Sequence, residues 1–325
     1  MDTQVRNADL LFLYDAKLTN PNGDPDDENR PRMDPFTRRA LVSDVRLKRY
    51  LRDYWISRGY DVWVRTREDG SRVDATQREQ DLRKVFEQET GQQRGGRGTR
   101  ADEEYRQWFL NRLIDIRLFG ATLPIKAGEE KRGLSEQYTG PVQFSWGYSL
   151  HPVEVNPSNS ITSMFAGRGG EKGEYGTIGK DWRVLYALIA FWGHVAAQRA
   201  KATQMTAEDL KALEDGLLHA LSSEATTRSK LGQTPRLYLR VDWKDRAPSF
   251  GDPRDGLRLL PAQEELPVER WRSIEEFVLD LQPLVSRMMR YRDDIAAIRY
   301  WRHDELNVRG EDALLQLPHV VQVIG

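Results

Sequence analysis

Seven segments of this chain stand out by their hydrophobic pattern, and their order limits the folds open to it. Leu10 to Leu18 (LLFLYDAKL) is an apolar run closed by Asn20-Pro-Asn-Gly-Asp-Pro25, whose residue types favour turns, so a strand and then a loop are predicted. From Arg38 to Arg58 proline is absent, Leu47, Leu51, Tyr54 and Trp55 recur at helical spacing, and Gly59 follows, which predicts a helix. Ile114, Ile116 and Leu118 alternate with Asp115, Arg117 and Phe119. Val142, Phe144, Trp146, Tyr148 and Leu150 alternate with Gln143, Ser145, Gly147, Ser149 and His151, and both patterns predict strands. Trp182 to Ala200 (WRVLYALIAFWGHVAAQRA) is long and almost wholly apolar, which predicts a helix buried around most of its circumference. Thr206 to Asp209 has the form of a helix start leading to about Ser222, and Leu237, Leu239, Val241 and Trp243 alternate as a last strand.

Strand, helix, strand, strand, helix, strand is the ferredoxin-like βαββαβ order shared with RNA-recognition sheets, so the expected class is α+β with an RRM-like core. A single domain over 1–325 is expected, with core elements at about 8–59, 113–151 and 181–244, and insertions at about 60–112 and 152–180. Residues 245–325 are expected to be helical. There Ser273-Ile-Glu-Glu276 resembles a capping box, and Pro283 would break or kink the helix that it starts. Between about Thr66 and Glu104 apolar periodicity fades, while Gly95, Gly96 and Gly98 lie among Arg94, Arg97 and Arg100. That predicts an exposed insertion with a basic tip and no core of its own.

Hydrophobic residues make up 39% of the 325, enough for a core, and no run approaches the roughly 20 apolar residues that a membrane helix needs. The sequence contains no cysteine, which excludes disulfides, thiolate metal sites and cysteine nucleophiles. With an N-terminus unlike a secretion signal, a cytoplasmic address is expected.

Few residues suggest catalysis. Asp24, Asp26, Asp27 and Glu28 crowd one loop and could hold a hard cation, but the calcium-loop spacing fails, and Asn, Asp, Gly and Pro serve ordered turns equally well. His151, His194, His219, His303 and His319 lack ligand spacing. Gly173, Gly176, Gly179 and Lys180 approach a phosphate loop, yet the first glycine is one residue too distant and Asp181 replaces the required Ser or Thr. No metal or cofactor is expected. Charge is more informative, because 49 basic and 50 acidic residues nearly cancel overall but not locally. Arg30 to Arg58 holds nine basic and three acidic residues, and Thr226 to Arg246 holds six and two; Pro261 to Gln282 holds two and six. Two basic stretches, interleaved with Tyr50, Trp55, Tyr238 and Trp243, suit a sugar-phosphate backbone. The acidic stretch could meet a basic face on another copy.

Five blocks carry a resemblance. They are Asn20-Pro-Asn-Gly-Asp-Pro-Asp-Asp-Glu-Asn-Arg-Pro-Arg-Met-Asp34, Leu41-Val-Ser-Asp-Val-Arg-Leu-Lys-Arg49, Arg117-Leu-Phe-Gly-Ala121, Thr139-Gly-Pro-Val-Gln-Phe-Ser-Trp-Gly147 and Thr227-Arg-Ser-Lys-Leu-Gly-Gln-Thr-Pro-Arg-Leu-Tyr-Leu-Arg240. Together these resemble the Cas7 family, the repeated backbone subunit of the type I CRISPR complex Cascade, and are most similar to its subtype I-B. The resemblance implies a ferredoxin-like palm with inserted fingers and a thumb. It also implies a helical stack of copies along one crRNA, partners in target DNA and in the small and large Cascade subunits, and no nuclease activity. Carried onto this sequence, Asn20, Asn22, Arg38, Arg46, Lys48, Arg49 and Arg52 are expected at the RNA from the first loop and helix. Gln143, Ser145 and Trp146 are expected from the third strand. Lys180, Arg228, Lys230, Gln233 and Arg240 are expected from the later segments, with Arg168 nearby and Met164 and Phe165 wedged between bases. The other reading is a type III-like backbone subunit in which Asp24, Asp26 or Asp27 cuts RNA with Mg2+.

Overall fold

A computed structural model describes residues 5–66, 73–93, 95, 99–125, 134–162, 178–223, 230–244, 249–263 and 266–324. Its centre is an eight-stranded sheet made of β1 (Ala8–Thr19), β2 (Leu41–Val42), β3 (Val142–Phe144), β4 (Gly147–Ser149), β5 (Val184–Val195), β6 (Gln233–Trp243), β7 (Ile295–Arg302) and β8 (Val320–Gln322). The order across it is β8-β7-β6-β1-β5-β4-β2, with β3 also paired to β5. The β7–β8 pair is parallel and the other pairs are antiparallel.

Both faces of this sheet are covered. The even residues of β1 (Leu10, Phe12 and Tyr14) face two helices, α1 (Asp44–Ser57) and α6 (Ala207–Ser223), through Leu47, Leu51, Trp55, Leu213 and Leu217. The odd residues Leu11 and Leu13 pack with Leu237, Leu239 and Val241 against Trp271, Phe277, Leu279 and Met288. Such a strand reads as one apolar run rather than an alternating one. α1 starts at the Ser43 cap, whose Oγ accepts from the Arg46 amide at 3.3 Å, and α6 starts with reciprocal bonds between Thr206 and Asp209.

Several expectations are corrected. Trp182 to Ala200 is not one helix but β5 followed by the short α5 (Ala197–Thr203). β5 is buried on both faces, so it lacks the alternation that marks a strand, and its Val, Ile and aromatic content suits a sheet. The alternation at 114–118 belongs to a helix, α4 (Ile114–Phe119), which buries Asp115 beside Ile114 and Ile116. The third strand is real but broken: Ser145 and Trp146 interrupt it, burial shifts register there, and Trp146 is left 47% exposed.

The insertion after α1 does have a core. Leu82 and Phe86 of α2 (Ala75–Thr90) pack with Tyr105, Phe109 and Leu110 of α3 (Arg100–Arg112), below Trp63 and Ile116. An antiparallel pair, Gly120–Ile125 with Leu134–Thr139, follows. The C-terminal region is mixed rather than helical. α7 (Gln282–Arg290) and α8 (Glu311–Leu315) accompany β7, β8 and three short strands at Arg258–Pro261, Phe277–Asp280 and Val308–Arg309. Ser273 and Glu276 do form a capping box, on a 3-10 turn, and Pro283 sits in the first turn of α7, where a missing amide costs little. Trp55, Tyr238 and Trp243 are core residues rather than surface platforms.

Asp115 ties the insertion to α1. Its Oδ1 accepts from the Trp63 amide at 2.6 Å, and its Oδ2 from the Val64 amide at 3.2 Å and from Arg52 Nε at 2.7 Å. Asp115→Ala leaves a buried guanidinium without its partner. The expected loss is about 3 kcal/mol of unfolding free energy, read from the urea midpoint; a loss under about 0.5 kcal/mol would remove the tie from the account.

Candidate nucleic-acid interface

The loop after β1 is held by its own side chains. Asn22 Oδ1 accepts from the Ser43 amide at 3.1 Å and from Ser43 Oγ at 3.0 Å, so the residue that caps α1 is itself fixed by the loop. Asp34 accepts from the Phe36 amide at 3.0 Å and from Thr37 Oγ1 at 2.6 Å, and these bonds hold its carboxyl below the usual range. They present Phe36, 94% exposed, on a tight turn. Each carboxylate that could have joined a metal site except Asp26 meets a cation instead: Asp24 with Arg32 at 3.2 Å, Asp27 with Arg30 at 3.9 Å, Glu28 with Lys180 at 2.7 Å. Asp26 instead donates its amide to Asp24 Oδ1 at 3.2 Å. Among the described residues no three His, Asp or Glu side chains converge as a metal site.

The same loop lays arginines over aromatic rings. Arg30 lies 4.2 Å from the centre of the Trp182 ring and Arg32 lies 6.0 Å from that of Trp146; Tyr148 is approached by Arg39 at 5.4 Å and Arg254 at 4.3 Å. Arg254 is fixed by Asp252 and by the Trp146 carbonyl at 2.8 Å. Beside Tyr148 a cavity of about 330 Å³ opens, lined by Arg39, Arg254 and Arg258. Guanidinium over a ring is an attractive pairing worth about 0.5–1 kcal/mol where exposed, and a stacking base competes for the same face.

A second group forms where β1 ends and β6 begins. Lys230 Nζ donates to the Asn20 carbonyl. Arg46 stacks on Tyr50 with its guanidinium 4.0 Å from the ring centre, and the Tyr50 hydroxyl accepts from Gln233 Nε2 at 2.8 Å. Neither Arg46 nor Lys230 has an ion pair among the described residues. Burial, and then the nearby Arg46 charge, push the Lys230 ammonium down to about 7. Tyr14 lies in the same group, its hydroxyl pushed up by burial.

Asn20, Arg46, Lys230 and Gln233, all expected at the RNA, are thus brought together. The other candidates on α1 are not. Successive residues turn by about 100°, so Lys48 and Arg52 share a face roughly opposite Arg46. Lys48 binds Asp44 at 2.9 Å, Arg52 binds Asp115, and Arg49 pairs with Asp53 at 2.8 Å. Arg240 pairs with Asp242 at 2.9 Å and lies next to Glu214, which also takes Arg299 at 2.5 Å. Gln143 donates to the Gly140 carbonyl at 3.0 Å, Ser145 to that of Trp192 at 3.2 Å, and Arg38 meets Glu269 at 3.2 Å. Met164, Phe165, Arg168 and Arg228 lie outside the described residues, as do Arg94 and Arg97. Sequence reasoning did not select Arg32, Phe36, Arg39, Tyr148 or Trp182. The density of arginine between positions 30 and 39 was the signal that could have found the first three.

The Cas7 family model, described as CRISPR-associated protein Cas7, matches residues 6–282. A curated Cas7 of Haloferax volcanii is 34% identical over 324 residues, covering 96% of this chain and 89% of its own length. A solved chain titled CRISPR RNA-guided surveillance complex, pre-nicking, aligns with a TM-score of 0.50 at 15% identity over 98% of this chain and 96% of its own, a likeness of fold. Another, titled CRISPR RNA-guided surveillance complex, aligns at 0.48 and 14% over 98% and 95%.

Lys230 makes a pH prediction. Its folded value lies near 7 against an ordinary 10.5, so between those limits the unfolded chain binds more protons and stability rises with pH. Below about pH 7 the penalty is complete. Lys230→Met is therefore expected to raise the melting temperature of the RNA-free protein at pH 7, by about 2–4 °C per kcal/mol relieved, and to gain less at pH 10. An equal gain at both pH values in scanning calorimetry would contradict a desolvated lysine.

Proposed function

Because this chain belongs to the CRISPR-associated Cas7 family, we propose that it is a non-catalytic crRNA-binding backbone subunit of a type I Cascade complex, of subtype I-B. Copies stack along one guide RNA, each holding part of its sugar-phosphate spine, and the guide rather than the protein reads target DNA by base pairing. Small and large Cascade subunits complete the particle, in the cytoplasm. The observation that carries this reading is the Arg46–Lys230 pair. Two half-buried cations without a carboxylate among the described residues suit a polyanion.

The fold agrees. The order β6-β1-β5-β4, with α1 and α6 on one face, supports reading the sheet as a ferredoxin-like palm. Within the 152–180 insertion, Ser160–Thr162 pairs antiparallel with Ile178–Lys180. The pairing of Asp24 with Arg32 and of Asp27 with Arg30 favours a positioning loop over a cutting one.

Arg46→Gln with Lys230→Met is expected to weaken guide binding alike for unrelated guide sequences. The log-log salt slope should become shallower by about 0.7, for the one phosphate that both cations hold. Filter binding across a salt series measures it, and a loss confined to one guide would count against backbone recognition. The assembled complex, given complementary labelled RNA and Mg2+, is expected to leave that RNA whole. Regularly spaced fragments that vanish in Asp24→Ala would establish the type III-like ribonuclease instead.

A further inference from the structure

The described residues contain ten buried side-chain polar atoms without a hydrogen-bond partner, and four of them collect beside Arg46 and Lys230: Tyr14 Oη, Asn20 Oδ1, Arg46 Nε and Gln233 Oε1. Buried polar atoms are nearly always paired, so such a concentration asks for a ligand or an internal water. The two amides cannot be turned to escape this. Asn20 Nδ2 donates to the Asn29 carbonyl at 2.7 Å, and Gln233 Nε2 donates to the Lys230 carbonyl at 3.0 Å. A carbonyl oxygen only accepts, so each amide nitrogen must face it, and Oδ1 and Oε1 are left as acceptors in need of a donor.

A phosphate supplies oxygens for Arg46 and Lys230 but no hydrogen for these two acceptors. Base edges supply donors that change with sequence. The 2′-hydroxyl is the donor that every ribonucleotide carries and no deoxynucleotide does. We propose that this pocket recognises the ribose along with the phosphate. The one hydrogen of a 2′-hydroxyl is shared in a three-centre bond between Asn20 Oδ1 and Gln233 Oε1 while Arg46 and Lys230 hold the adjoining phosphate, so the chain selects RNA over DNA at one nucleotide.

The rim suits a sugar. Continuing the β1–β6 register from Ala16 opposite Gln233 sets Leu18 opposite Leu231, and both are more than half exposed. Leu18 adopts a φ of 49°, which a leucine rarely does, and Arg183 donates to its carbonyl at 2.7 Å. The strained turn leaves an apolar side chain exposed at the same end of β1 as Asn20, where the carbon face of a ribose can rest.

The inference rests on the guide-binding reading, and one titration separates the two. A guide-length strand is prepared as RNA, as 2′-deoxy and as 2′-fluoro, the last having an RNA-like sugar but no donor hydrogen. Each is titrated into the full chain at fixed salt by fluorescence anisotropy. RNA is expected to bind about tenfold tighter than either analogue, the equivalent of one hydrogen bond. In Asn20→Ala and in Gln233→Met, checked for folding by thermal melts, the ratio of RNA to deoxy affinity measured in the same variant is expected to fall to about twofold. If wild-type protein binds 2′-fluoro strand as tightly as RNA, the ribose readout is wrong and the two oxygens belong to water; this arm needs no variant. If no strand binds, the guide-binding reading itself fails.

Discussion

The simultaneous pairing of β1 with β5 on one side and β6 on the other is the constraint on which the rest of this molecule depends. β1 is central, and its two sets of side chains enter two different cores: Leu10, Phe12 and Tyr14 the helical side, Leu11 and Leu13 the C-terminal side. A slip by one residue would exchange these sets and move Asp9 and Asp15 to the wrong layer. Asp15 would then leave Arg236, now at 2.9 Å, and Asp9 would leave the Trp243 indole at 2.9 Å. The register is therefore strongly specified, and the site follows from it. Because β1 runs out at Thr19 just where β6 begins at Gln233, Asn20 and Lys230 are neighbours. Gly232 seals that junction at a φ of +95°, with no room for a side chain: an added Cβ would lie 2.4 Å from the Lys17 carbonyl.

That double burial also explains which elements the sequence hid. A strand covered on both sides loses its period of two, and β5, twelve residues long and apolar throughout, then satisfies the criteria for a buried helix. β6 escaped the same error because Arg240 and Asp242 break its apolar run, their charges being buried as a pair instead of exposed. At 114–118 the opposite happened. Five residues are too few to separate a period of two from one of 3.6, and Asp115, which looked like an outward polar residue, is an inward one that binds Arg52 and two amides. The aromatic pairs of the insertion, Phe86 with Tyr105 and Trp63 with Phe109, join residues many positions apart, so no local window could announce that core.

Charge was legible as an amount, and only partly as a place. The excess over Arg30 to Arg58 was legible, but counting along a helix adds faces that point in opposite directions. Lys48 and Arg52 serve the contact with α4 and its neighbours, which leaves Arg46 to look toward the end of β1. The bulge at Ser145 and Trp146 was equally invisible, since strict alternation across it was satisfied by residue type while the backbone changed sides.

The cations at the interface fall into two kinds, and the difference decides where affinity arises. Arg30, Arg32 and Lys180 are already matched by Asp27, Asp24 and Glu28, so a phosphate that engages them must displace an exposed carboxylate. An exposed ion pair is worth at most about 1 kcal/mol, and exchanging one for another yields little net gain. Arg46 and Lys230 are held differently, by the face of Tyr50 and by the Asn20 carbonyl, partners that fix position without neutralising charge. The ligand-free fold carries the cost of their desolvation, visible in the lowered Lys230 value, and an arriving phosphate relieves it. On the proposed reading, binding energy is concentrated on the two positions that lack a carboxylate partner among the described residues. Both positions sit at the end of β1, whose two buried faces fix where that charge is placed.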